Sequence, residues 1–300
     1  MNFNRPARAR RPARARRLSV LAVTATLSLM AVAFVAPVTV AASTAYYLSP
    51  TGSDSNPGTM SRPFGTIYHA LTKLHPGDTL YVRGGEYTYS GVHYTKLAGT
   101  STHRIRIKNY PGETPVFRGT SAPADFLYFY GNASWLTIQG LTVYGGGAVG
   151  DSNGSSVFGF TGNANHINLF HVHLYGDASW AINQHLVYVA SNSVNDITVT
   201  YSLLDGQGCR CAGLLTFHHD PNARRVSVRS NFFRHADQAI MVWGSVSGLT
   251  IRGNTFQSDR IAVRHHNSLG TTVTRNHGYN VAVGVYADSR RNLSVSYNHW

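Results

Sequence analysis

One short phrase recurs toward the C-terminus. Val226-Ser-Val-Arg-Ser-Asn231-Phe-Phe233 returns as Leu249-Thr-Ile-Arg-Gly-Asn254-Thr-Phe256. It returns again as Thr271-Thr-Val-Thr-Arg-Asn276 and as Leu293-Ser-Val-Ser-Tyr-Asn298-His-Trp300. The four asparagines are 23, 22 and 22 residues apart. A fixed period of this size marks a solenoid, in which each repeat buries its apolar face only by stacking on its neighbours. Inside each phrase the apolar residues alternate, as a strand with one buried face requires. Ala239-Ile-Met241, Ile261/Val263 and Val283/Val285 precede the asparagines at matching offsets and mark a second strand in each coil. Asparagine tolerates the left-handed backbone of a tight turn. Identical asparagines stacked in register can also bond to one another along the ladder.

The pattern extends backward through longer coils. Ile197-Thr-Val199, Ile167-Asn-Leu169 and Leu136-Thr-Ile138 occupy the strand slot, and Ser202, Val172 and Leu141 the ladder position. From Leu141 to Asn298 the spacings are 31, 30, 29, 23, 22 and 22. Seven rungs at one strand spacing each span roughly 30 Å. The expected fold is all-β, a right-handed parallel β-helix.

Residues 1–45 stand apart. Seven arginines and no acidic residue precede an apolar run from Leu18 to Val40, and alanines follow at 41, 42 and 45. This is the pattern of a secretory signal peptide, with cleavage expected after Ala42 or Ala45, and hence of a secreted protein. A retained membrane anchor is the alternative; after cleavage no membrane association is expected. The whole chain has 26 Lys+Arg against 13 Asp+Glu; without the seven arginines, 19 face 13, a net charge of about +6. No basic run survives, which argues against a nucleic-acid partner and fits attraction to an acidic polysaccharide. Cys209 and Cys211 close too small a ring to imply a disulfide framework, so stability is expected from the stacked core.

Residues 46–120 read as an N-terminal cap with the first coils, and 121–300 as the remaining coils. Phe64, Ile67, Ala70, Leu71 and Leu74 have helical spacing ahead of Pro76-Gly77, a short helix suited to covering the open end of a solenoid. Tyr46–Gly58, Pro63-Phe-Gly-Thr-Ile67, Pro76-Gly-Asp78, Val82-Arg-Gly-Gly85, Ile105 and Tyr110-Pro-Gly112 together resemble the N-terminal region of secreted, pectate-lyase-like right-handed β-helix proteins. These include the calcium-dependent pectate lyases of polysaccharide lyase family 9. The resemblance implies the fold, an aspartate cluster holding Ca²⁺, and a lysine base. Here the three lysines after the leader (Lys73, Lys96 and Lys108) all lie in the cap region, so either His219 or Arg264 takes the base's place or the activity is absent.

Phasing the coils on the ladder position turns Val187/Val189, Ile261/Val263 and Val283/Val285 inward. It turns Tyr188, Phe217, His219, Arg264 and Tyr286 outward onto one face. Aromatic and cationic groups sharing a face suit sugar rings and carboxylates. The expected catalytic residues are His219 and Arg264, with Tyr188, Phe217, Arg210 and Tyr286 binding substrate. Asp177, Asp205 and Asp237, with Asp259, lie in turns entering this face, and their carboxylates are candidate Ca²⁺ ligands. Asp205 with Asp237 could equally serve a glycoside hydrolase. His218 is expected to face the core, and the C-x-C and His-His spacings match no zinc motif.

The leading expectation is a secreted polysaccharide lyase acting on a uronic-acid polymer. A calcium ion or an arginine would neutralise the carboxylate and a basic side chain would take the adjacent proton. The alternative is a non-catalytic extracellular β-helix that binds glycans or packs in an envelope layer. The chain stops in mid-coil at Trp300, so a truncated C-terminus is expected, and a monomer only where a terminal cap is present.

Overall fold

The computed structural model describes residues 43–146, 155–180, 183–190, 195–211, 213–218, 224–244, 246–266, 270–288 and 292–300. Most of the leader thus lies outside the described residues, as do His219 and Asp220. From Ala42 onward the chain is one compact unit. Its strands pair in parallel, each with its counterpart one coil on. The first face is a ladder of ten described strands, from Ala45–Leu48 to Leu293–Ser296. The second face runs from Thr142–Tyr144 to His277–Tyr279. The third runs from Ser155–Thr161 through Gln184–Ala190, Leu215–His218, Gln238–Trp243 and Ile261–His266 to Val283–Ala287. The long strand Pro115–Phe129 pairs with both the second and third faces and joins them. This is the parallel β-helix that the repeat predicts.

The asparagine ladder is continuous. Asn231, Asn254 and Asn276 each donate backbone N–H and side-chain Nδ2 to the Oδ1 of the next asparagine, at 2.8–3.0 Å. Each Nδ2 also reaches a first-face carbonyl of the preceding coil, Val199, Val228 or Ile251. Upstream, Ser202 keeps the same role with a shorter side chain. Its N–H donates to Asn231 Oδ1 at 3.0 Å, and its Oγ accepts from Val172 N–H at 3.2 Å. The residue before the ladder position has positive φ at His171, Tyr201, Ser230, Arg275 and Tyr297, so the corner turns through left-handed backbone coil after coil.

The core is aliphatic on the first face and aromatic toward the others. Phe117, Phe126, Phe158, Phe217, Phe233 and Phe256 are all buried. Phe233 stacks on Phe256 at 5.1 Å, and Trp300 approaches Phe256 at 5.8 Å across the gap left by Gly278. The helix predicted around residues 64–74 is present over Ile67–Leu71, with Thr66 as its N-cap accepting from His69 N–H. Ile67, Ala70, Leu71 and Leu74 are all buried, as the spacing requires.

Two expectations need correction here. The ordered fold begins before residue 46: Ala45 pairs with Thr79, and Thr44 N–H donates to Asp78 Oδ1 at 2.7 Å, so of the two expected cleavage points only Ala42 leaves the first strand whole. Cys209 and Cys211 are bonded to each other, with Cα atoms 5.2 Å apart; a bridge between residues two apart closes one small ring and ties no coils together, so it makes no disulfide framework. The phase of the third face also slips by one residue in two coils. Ile240, not Met241, pairs with Val263, and Phe217 pairs with Val189.

Candidate functional site

A one-residue slip exchanges the two faces of a strand. Phe217 therefore points into the core, 1% exposed, and is not a substrate-binding residue. His218, expected inside, points outward in line with Ala190 and Trp243. The cause is loop length. The inward residue of the third face lies 13 residues before the next asparagine at Val263 and Val285, but 14 before it at Ile240 and 16 at Leu215. The ladder serine follows Val187 by 15. Counting back across the return loop keeps the parity only where that count is odd.

The outward side of the third face carries two columns. Tyr188, Thr216, Met241, Arg264 and Tyr286 form one. Ala190, His218, Trp243 and His266 form the other, two residues further along each strand. Tyr188, Arg264 and Tyr286 thus sit where the sequence places them. His218 stacks over Trp243 with ring centroids 6.5 Å apart, and Trp243 over His266 at 4.3 Å and 19°. The Arg264 guanidinium lies 5.9 Å from the Trp243 ring and 5.7 Å from that of Tyr286. Such contacts hold a cation in place through the ring faces without using its hydrogen-bond donors. Arg225, Arg234 and Arg260 each grip an aspartate. No carboxylate among the described residues pairs with Arg264, and its Nε is buried without a hydrogen-bond partner.

His266 Nδ1 contacts Asp288 Oδ2 at 2.5 Å, one coil further on. That contact, then a Tyr286 hydroxyl and the Arg264 charge, holds the Asp288 carboxyl below the usual carboxylate range. At the other end of the patch the Tyr188 hydroxyl meets His218 Nδ1 at 3.3 Å, and burial raises its phenol pKa. Tyr188 also stacks on His185 at 4.9 Å. His185 is buried, with Nδ1 3.0 Å from both the Gly213 carbonyl and Thr216 Oγ1, and burial lowers its pKa to about 4. It is a neutral support beneath Tyr188. Sequence reasoning missed Trp243, His266 and Asp288. The signal was alternation within Met241-Val-Trp243 and Arg264-His-His266, which puts Trp243 and His266 on the arginine's face.

The aspartates do not form a calcium cage. Asp177 Oδ1 accepts from Ser179 N–H and Oγ–H within its own turn. Asp205 is 4% exposed and holds Arg234 Nε at 2.8 Å and His235 Nδ1 at 3.1 Å. Asp237 is gripped by Arg260 through both carboxylate oxygens, and Arg210 lies near enough to lower its pKa further. Arg210 thus belongs to this corner between the second and third faces, not to the arginine–aromatic patch. Asp259 is 2% exposed, and burial raises its carboxyl pKa to about 7. Asp205 and Asp237, already neutralised by arginines, and Asp259, sealed in the core, suit neither Ca²⁺ coordination nor a hydrolase pair open to substrate. No group of three or more His, Cys, Asp or Glu among the described residues is disposed to hold a metal. A separate cleft of about 520 Å³ at the corner of the first and second faces is lined by His171, His173, Tyr201 and Phe232, with no arginine, lysine or carboxylate among its described lining.

Residues 46–214 match the family described as Pel9A-like, right handed beta helix region. The uncharacterized protein YwoF of Bacillus subtilis (strain 168) is 38% identical over 101 residues, 32% of this chain and 21% of YwoF. Pectate lyase PEL9 of Emericella nidulans is 37% identical over 78 residues, 26% of this chain and 19% of that enzyme. The matched stretch is about a fifth of the length of these relatives. Among solved structures, a rhamnogalacturonan lyase superposes with a TM-score of 0.56 at 14% identity, over 79% of this chain and 74% of its own. A GH136 lacto-N-biosidase from Eubacterium ramulus does so with a TM-score of 0.63 at 13% identity, over 85% and 59%. At these identities the likeness is one of fold, shared by lyases and glycoside hydrolases alike. By the match over more than half its length, the chain belongs to the Pel9A-like right-handed β-helix family.

Proposed function

We propose that the third face binds and cleaves an acidic, uronate-containing polysaccharide by β-elimination, outside the cell, after export directed by residues 1–42. The observation that carries this reading is Arg264. It is a cation fixed between two aromatic rings, without a carboxylate partner among the described residues, on an outward face lined with Trp243, Tyr286, His218 and Tyr188. Aromatic rings give sugar rings an apolar platform. The terminal guanidinium nitrogens match a uronate carboxylate. Neutralising that carboxylate acidifies the adjacent C–H, the step on which elimination depends. The relationship to a pectate lyase supports an acidic substrate.

The test is a panel of polygalacturonate, alginate and glycosaminoglycan, read by the ultraviolet absorbance of the unsaturated uronate product. The wild-type protein should produce it from at least one polymer, and Arg264→Ala should lower kcat/KM by 10²-fold or more. Because Arg264 takes the role that the resemblance gives to calcium, turnover should survive a chelator. Absence of product from every polymer refutes the proposal. Abolition by the chelator returns the carboxylate-neutralising role to a metal.

A further inference from the structure

We propose that His266, oriented by Asp288, is the proton acceptor of this elimination, with the Tyr286 hydroxyl as the proton donor to the leaving oxygen; this rests on the reading of the third face given above. The imidazole is constrained on two sides. Asp288 Oδ2 lies 2.5 Å from Nδ1, and the indole of Trp243 stacks against the ring at 4.3 Å. With the carboxylate at Nδ1 the proton belongs on that nitrogen, which leaves Nε2 with a lone pair. Asp288 follows directly on the strand Val283–Ala287, which pairs in register with Ile261–His266, and its N–H donates to the His265 carbonyl at 3.1 Å, so its backbone is tied to the ladder.

The placement relative to Arg264 is what turns a paired histidine into a base. Arg264 and His266 are two apart on one strand and project to the same side, roughly 7 Å apart along the chain. A uronate whose carboxylate lies on the Arg264 fork carries its adjacent carbon toward the imidazole. Among the described residues, the charged and titratable groups facing His266 are Arg264 on its own strand, Tyr286 and Asp288 on the next coil, and His218 beyond Trp243 on the other side. Neighbouring His265 points into the core, 0% exposed, and cannot reach substrate. His218 is two rungs from His266, about 10 Å, and its Nδ1 meets the Tyr188 hydroxyl at 3.3 Å. Tyr286 is 46% exposed and contributes a hydrogen bond to Asp288.

In the step, the C5–H bond of the uronate breaks and its proton passes to His266 Nε2. The electron pair forms the C4–C5 double bond. The C4–O bond breaks, its pair stays on the glycosidic oxygen, and that oxygen takes the Tyr286 hydroxyl proton, which gives up its hydrogen bond to Asp288. His266 then returns its proton through water to the tyrosinate. No electron is gained or lost overall, and no co-reactant is needed.

The experiment uses the full chain and whichever polymer of the panel gives product. His266→Ala should lower kcat by about 10²–10⁴-fold with KM nearly unchanged. Added imidazole should recover part of that loss, and a C5-deuterated substrate should slow the wild type. Asp288→Asn should lower kcat less than His266→Ala does, and the far-ultraviolet spectrum and melting temperature of both variants should match the wild type. If His266→Ala is folded and retains kcat, or if its loss is wholly in KM, the role of His266 is overturned while the proposed function stands. A His266→Ala protein that fails to fold leaves Asp288→Asn and the deuterium effect to decide: full turnover in the first, or no slowing in the second, overturns the assignment. A wild-type protein that gives no product from any polymer overturns the proposed function first, and the role of His266 with it.

Discussion

Replacing Asn254 by alanine tests the ladder at its most buried point. Asn254 is 0% exposed. Its Oδ1 accepts from Asn231 N–H and Asn231 Nδ2, both at 3.0 Å, and its Nδ2 donates to the Val228 carbonyl at 3.0 Å. The substitution leaves the Asn231 N–H buried with no acceptor in the ladder, a cost of about 1–3 kcal/mol. Asn231 Nδ2 keeps the Val199 carbonyl but loses its second bond, Val228 loses its amide donor, and Asn276 Oδ1 loses the Asn254 Nδ2 donor. Each of these lost bonds adds about 0.5–1.5 kcal/mol, so the total is about 2.5–7.5 kcal/mol. That is a large part of the 5–15 kcal/mol typical of a domain. Asn298→Ala breaks equivalent bonds where the groups are partly exposed, so water replaces them and the loss should be clearly smaller. Equilibrium urea unfolding of the chain from residue 43 measures both, as shifts in midpoint. Equal losses for the two variants, or an Asn254→Ala change under 0.5 kcal/mol, would refute the argument that the buried amide stack holds the coils in register.

Two buried titratable groups should give opposite pH dependences. His185 has its pKa lowered to about 4 against roughly 6.5 unfolded, so the unfolded chain binds the extra proton. Stability from this site is complete above about pH 6.5 and falls by about 2–3 kcal/mol toward pH 4; His185→Gln should remove that slope in urea titrations. Asp259 has its pKa raised to about 7 against roughly 3.9, so the folded chain holds the extra proton and stability falls as pH rises between those values. Asp259→Asn should therefore raise the melting temperature at pH 8 relative to wild type and have little effect at pH 4. Phe217→Ala should cost about 3–5 kcal/mol of stability as a core truncation. Trp243→Ala, on the outward column, should instead raise KM with a small change in melting temperature; the reverse pattern would restore the slipped phase.

The ladder was legible because its asparagines recur at a near-constant interval and their amides act on the backbone of the same turn. The helix around Ile67 was legible for a similar reason, since its apolar spacing is local. The third face was harder to read because return loops of unequal length separate it from the next asparagine. Val187, Ile261 and Val283 kept their phase, whereas Leu215 and Ile240 lost it by parity. His266 and Asp288 were invisible as a pair, because 22 residues separate them in the chain and only the coil brings them into contact. The aspartates illustrate the opposite error. Their position in successive turns was read as closeness of one aspartate to another, but Arg234 and Arg260 arrive in the registers of Asp205 and Asp237 and take those carboxylates.

The asparagine ladder also has a direction. Every Oδ1 acceptor belongs to the later coil, and every N–H it satisfies belongs to the earlier one. As the chain emerges from its N-terminus, each corner therefore carries open donors until the next 22 to 29 residues have followed and folded onto it. Completion passes one way along the axis, like a zip whose teeth are supplied by the strand still to come. Amide protection during stepwise synthesis should appear at the Asn231 N–H only once Asn254 has been made, and at the Asn254 N–H only once Asn276 has.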